Sequence, residues 1–181
     1  VAELAFDSSK DALKQLREVP AEKILNAQKK VASSYNNIIE DGWVLPNSAR
    51  ALVEKGSHNP VDILIGSNAH EWYMYYPDDF SKADYEKGLK IYSGSKLNEV
   101  RKMLDQSGLS PRRKTDALFS AYVFHCPALK LAKEISEYGN RAYIYHFSRV
   151  RPGAESLLAY HGAEIPYAFD TADDWLPGDQ T

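Results

Sequence analysis

Two short runs stand out in the hydrophobic pattern, Val61-Asp62-Ile63-Leu64-Ile65-Gly66 and Arg141 to Phe147. The first is rich in branched residues and bounded by Asn59-Pro60 and Gly66, and the second is rich in aromatic ones. Such runs predict strands buried on both faces, as in a parallel sheet. Between them the apolar positions follow a helical period. Ser81 predicts a cap for a helix running through Ile91, and Leu97, Val100, Met103 and Leu104 share one helical face. Ser110-Pro111 is a cap followed by a first-turn proline, and Leu118, Ala121, Tyr122 and His125 then keep the i, i+3, i+4, i+7 spacing. Pro127 opens a further helix that Gly139 ends. Upstream, Ser8-Ser9 predicts the cap of a helix from about Lys10 to Arg17, and Pro20 with Glu22 opens another to about Ser34. Asp41-Gly42 to Pro46-Asn47 reads as turns around a short extended piece. Strand, several helices, strand is the α/β rhythm, with no internal repeat.

Composition narrows the partners. The 181 residues carry a net charge of −3 with acids and bases interspersed, so no basic face invites nucleic acid. The apolar stretches are too short to cross a membrane. A single cysteine, Cys126, excludes an intrachain disulfide and a zinc site built on paired cysteines. Its apolar surroundings predict a buried, inert thiol. The chain opens on Val1 without a leader and closes on a turn-like Gly178-Asp179-Gln180-Thr181, which reads as part of a longer polypeptide.

Ligands and reacting groups collect at the carboxyl ends of strands in open parallel sheets. After the first predicted strand come Ser67 to Trp72, with Glu71 among them; after the second come Ser148 to Gly153 and then Ala159 to Tyr167, with His161 and Glu164. An acid after one strand and a histidine after the next suits a hydrolase. The histidine takes a proton from a nucleophile, and the carboxylate fixes its tautomer. A zinc-protease reading of His70-Glu71 fails because position 74 is Met74 where a second histidine is needed. His161-Gly162-Ala163-Glu164 lacks a third ligand, so neither metal nor cofactor is expected. Arg149 and Arg151 are expected to be solvated or salt-bridged rather than substrate-binding. His58, His125 and His146 are expected on the surface, a helix face and a strand.

Five segments resemble one family. Leu64 to Glu71 is similar to the strand and loop that carry the triad glutamate of type-B carboxylesterases and cholinesterases, and Tyr160 to Phe169 to the segment around their histidine. Asp41 to Pro46 resembles the family's Asp-Gly-x-x-Leu-Pro motif. Phe124-His125-Cys126-Pro127 and Tyr143 to Phe147 fall in the family's order and approximate spacing. The resemblance implies the C-terminal part of an α/β-hydrolase fold, parallel strands alternating with helices, with an incomplete sheet. It implies Glu71 as triad acid, His161 as general base, Glu164 as a buried supporting carboxylate and Asp41 as structural. Trp72, Tyr73 and Tyr160 become candidates for lining a pocket for a small-molecule ester, with core packing as the competing role.

The Gly-x-Ser-x-Gly elbow and the glycine-rich oxyanion loop do not occur in the sequence. Gly94-Ser95 comes nearest, but it continues into Lys96-Leu97 and follows Glu71, against the family's order. The nucleophile is therefore expected in a missing N-terminal part of the same enzyme, and a tryptophan-rich final helix of the family is missing as well. The chain alone is expected to be inactive and open to self-association through exposed strand edges. A cholinesterase-like adhesion module without activity is the alternative of a different class.

Overall fold

The computed structural model describes residues 11–31 and 38–171. The chain divides into two compact units, 1–48 and 49–181. In the first, α1 (Ala12–Glu18) and α2 (Ala21–Val31) follow the two predicted helices. The cap of α1 is Asp11, whose carboxylate accepts from the backbone N–H groups of Leu13 and Lys14; the predicted Ser8-Ser9 cap lies outside the described residues, as do positions 32–34 at the predicted end of α2.

The second unit opens with α3 (Ala49–Glu54), which the sequence pattern does not predict. Two strands, β1 (Ile63–Asn68) and β2 (Ala142–Phe147), pair in parallel, with Ile63 opposite Ala142 and Asn68 opposite Phe147. Parallel neighbours need a long crossover. It is made by α4 (Lys82–Tyr92), α5 (Leu97–Asp105), α6 (Pro111–Ser120) and α7 (Cys126–Glu137). The caps sit where the sequence places them. Ser81 and Asp84 form a reciprocal capping box on α4, and Ser110 accepts from the N–H of Arg113 at the start of α6. Gly139 adopts φ +86° just beyond α7, where a residue with a Cβ would be strained.

A widened turn with π-type bonding, Ala121–His125, joins α6 to α7 without an intervening loop. The helix predicted to start at Pro127 therefore continues the one before it, with Pro127 in its first turn. Tyr85 and Leu89 from α4, Leu104 from α5 and Leu118 from α6 make a core, flanked by Phe80, Tyr92, Leu97 and Val100. Gly88 lets α4 approach α6, because a Cβ there would press on the Thr115 methyl.

Two expectations are corrected. β1 begins two residues later than predicted and ends at Asn68, so Ser67 and Asn68 belong to the strand and are its buried end. The strands are also not buried on both faces. Helix α7 packs against both, yet Leu64 is 73% exposed and Ile144 51%. The pair is the whole of the sheet among the described residues, so no further strand or second helical layer covers those side chains. No helix among them is long and apolar enough to cross a membrane.

Candidate functional site

The strand pairing does not stop at the strand ends. Ala69 N–H donates to the Phe147 carbonyl (2.8 Å), His70 N–H donates to the Ala159 carbonyl (3.1 Å), and His70 bridges Tyr160 in parallel. The loop after β1 is thereby zipped to the segment just before His161. Across this junction Glu71 Oε2 lies 2.6 Å from Nδ1 of His161. A carboxylate only accepts, so that nitrogen carries the proton and Nε2 is the acceptor. Glu71 is 4% exposed, and its Oε1 accepts the N–H of Asn68 at 2.6 Å. His161 is half exposed, its ring tilted against Phe124 with centroids 5.6 Å apart.

Glu164 is partly buried and reaches the same junction through Asn68. The Asn68 amide donates to Glu164 Oε2 and to the Tyr160 carbonyl, the latter at 2.7 Å. One buried asparagine thus ties the acid turn to the histidine loop twice. The loop also has its own small core of Ala154, Tyr160 and Ala163, packed by Met74, Phe147 and Leu157. Tyr160 belongs there, fully buried, rather than on an open pocket wall. Trp72 stacks between Tyr75 and Phe119, and the Arg112 guanidinium lies 4.2 Å above the Tyr73 ring. Both rings are half-buried.

Several positions differ from their expected surroundings. Arg151 is buried at 1% exposure rather than solvated, with Nη1 3.5 Å from the hydroxyl of the fully buried Tyr160. Arg149, by contrast, is exposed as expected, donating to the Tyr167 hydroxyl and lying over its ring. Cys126 is exposed, because it lies on the side of α7 away from the buried Ala128, Ala132 and Ile135. His125, expected merely on a helix face, has Nε2 3.0 Å from the Asn68 carbonyl, with the His146 ring edge-on beside it. No cluster among the described residues could hold a metal ion.

Asp41 lies in the first unit, in the 38–48 stretch. Its Oδ1 accepts the N–H groups of Trp43, Val44 and Leu45 at 2.9, 2.8 and 3.1 Å. Those donors, led by Trp43, hold its carboxyl below the usual carboxylate range. Its Oδ1 is occupied by its own turn.

The sequence pattern did not single out Asp116 and Ser120, both completely buried on α6. Asp116 Oδ2 lies 2.9 Å from His70 Nδ1, and its Oδ1 accepts the Trp72 N–H at 3.0 Å. Ser120 Oγ accepts the Glu71 N–H at 3.0 Å and lies 3.3 Å from Asp116 Oδ1. Polar residues four apart on a buried helix face were the available signal, since such groups need partners.

The model of the carboxylesterase family matches residues 2–173. The chain belongs to the carboxylesterase family. Among solved structures, a PNB esterase superposes with TM-score 0.67 at 23% identity, covering 97% of this chain and 38% of that one. The carboxylesterase EST55 of Geobacillus stearothermophilus gives 0.66 at 20% identity over 88% of this chain and 34% of its own. The fold is that of α/β-hydrolase esterases, present here in part. Among curated proteins, human neuroligin-2 is 27% identical over 90% of this chain, and mouse neuroligin-3 29% over 71%. The chain spans 23% and 18% of those two relatives' lengths.

Proposed function

We propose that this member of the carboxylesterase family contributes the acid and the base of a serine esterase. The observation that carries the reading is the 2.6 Å approach of Glu71 to His161 Nδ1 at the carboxyl end of two parallel strands. In the complete enzyme a serine outside these residues attacks the ester carbonyl, and Nε2 of His161 takes its proton. The imidazolium so formed is stabilised by Glu71 and returns the proton to the departing alcohol. Water then repeats the sequence on the acyl-enzyme, with no cofactor involved. Trp72 and Tyr73, beside the acid, are assigned to the substrate side, and Tyr160 to bracing the histidine loop. Glu164 supports the pair through Asn68.

The test uses the complete polypeptide that contains this chain. It should hydrolyse a short-chain nitrophenyl ester and be labelled covalently by a fluorophosphonate. His161→Ala and Glu71→Gln should each lower kcat by about a thousandfold or more. The isolated 181 residues should hydrolyse nothing. Full activity after loss of His161 would remove the reading.

The neuroligin matches favour a second reading, a cholinesterase-like module that keeps the fold as a binding surface without hydrolysis. A folded complete polypeptide that neither hydrolyses esters nor takes up the fluorophosphonate would select it.

A further inference from the structure

Resting on the esterase reading, we propose that one face of α6 and the widened turn after it, bearing Asp116, Ser120 and Phe124, positions the Glu71–His161 pair, with His70 as its second anchor.

The three residues are four apart, and each meets a different part of the pair. Asp116 accepts the N–H of Trp72 and holds His70; Ser120 accepts the N–H of Glu71 itself; Phe124 lies against the His161 ring. Consecutive backbone N–H groups, on residues 71 and 72, are therefore fixed by side chains of a single helix. An α-helix turns about 100° per residue, so a step of four overshoots a full turn by about 40°. Bonding from i to i+5 in Ala121–His125 opens the turn and rotates each residue less. The two drifts oppose one another, and Phe124 stays on the face that Asp116 and Ser120 define. His125, the next residue, uses the same turn to reach the Asn68 carbonyl.

Burial shows why this arrangement constrains the acid. Asp116 and Ser120 have no exposure, and among the described residues they bond to the acid turn, to each other and to His70. A shift of the turn away from α6 would leave the buried Asp116 carboxylate with the Ser120 hydroxyl as its remaining donor and would strip that hydroxyl of the Glu71 N–H, which is costly. The turn is held on one side by Asn68 and on the other by this face, with Glu71 Oε2 directed at His161 Nδ1. None of these α6 residues touches a reacting atom; they act through Glu71 and His161.

The experiment compares Ser120→Ala, His70→Ala and His70→Asn in the complete polypeptide. Asparagine places an amide N–H where Nδ1 of His70 now donates to Asp116, so it can restore that anchor. The readouts are kcat and KM for the nitrophenyl ester and the proton NMR signal of the His161 Nδ1–H, which a short bond to a carboxylate moves far downfield. Ser120→Ala and His70→Ala should lower kcat about tenfold to a hundredfold with KM within about twofold, as expected when a catalytic group is misplaced. Both should weaken or broaden the downfield signal, and His70→Asn should recover rate and signal together. Wild-type kcat and signal in Ser120→Ala overturn the proposal, and so does a loss in His70→Ala that asparagine does not recover. If the unsubstituted polypeptide shows the signal and Ser120→Ala loses it while neither hydrolyses the ester, positioning stands and the esterase reading falls.

Discussion

Asn68 is the residue on which the two halves of the site depend. It is 1% exposed, and its side-chain amide serves both the Tyr160 carbonyl and Glu164. Replacing it by alanine leaves those acceptors without their donor, so Asn68→Ala should lower stability by about 1–3 kcal/mol. A urea midpoint unchanged from wild type would contradict this. Residue types and order made Glu71 and His161 legible in the sequence, because a post-strand acid followed by a post-strand histidine is a recognisable arrangement. Asn68 was read as loop, since β1 was set two residues too early. Asp116 and Ser120 offered only their four-residue spacing, and their partners, like the burial of Arg151, were not legible, because each depends on which distant backbone arrives beside it. Cys126 was misread for a related reason: an apolar neighbourhood in sequence says nothing about which side of a helix a residue occupies.

Among elements, the capped helices were the best specified, as shown by the Ser81–Asp84 box and the Ser110 cap, where local chemistry decides the boundary. The widened turn was invisible, because a single extra residue in a helix alters bonding without altering composition. The missed helix α3 is six residues long and is tied to α7 rather than stabilised alone. Its Glu54 accepts from Arg50 and from Lys130 of α7, both at 2.8 Å. Lys130 and then Arg50 pull the Glu54 carboxyl from an ordinary 4.5 to about 2. A lowered folded-state value means the tie stabilises fully above about pH 4.5 and is lost as pH falls toward 2. Glu54→Gln should therefore melt slightly below wild type at neutral pH, with the gap closing over that window and shrinking in high salt. A gap unaffected by pH would remove the ion pairs from the account. The strand pair has its own test. A Cβ on Gly66 would collide with the backbone oxygen and ring of Tyr145, its partner across the pair. Gly66→Ala should cost about 1–3 kcal/mol in denaturant unfolding, as overpacking does.

At the scale of the whole molecule, the unit 49–181 carries apolar surface on its sheet. Leu64, Tyr143, Ile144 and Tyr145 are all exposed, and each strand is paired on one side only among the described residues. An apolar cleft of about 840 Å³, walled by Val53, Tyr92, Val100, Met103, Leu118 and Tyr122, adds to it. Surfaces of this kind associate. Light scattering on the 181-residue chain should show a mass that rises with concentration; a monodisperse monomer across the range would contradict the expectation. The sequence foretold strands rich enough in branched residues to need cover on both faces. What covers them is not encoded in the strands themselves. Because Ala121–His125 runs straight into α7, removing one residue from it would spin everything downstream by about 100° about the helix axis. The side of α7 now resting on the strands would swing outward, and Phe124 would leave His161. Spacing in this stretch is thus mechanically locked, so gene shuffling among members of the carboxylesterase family should tolerate changed letters here far better than a changed count.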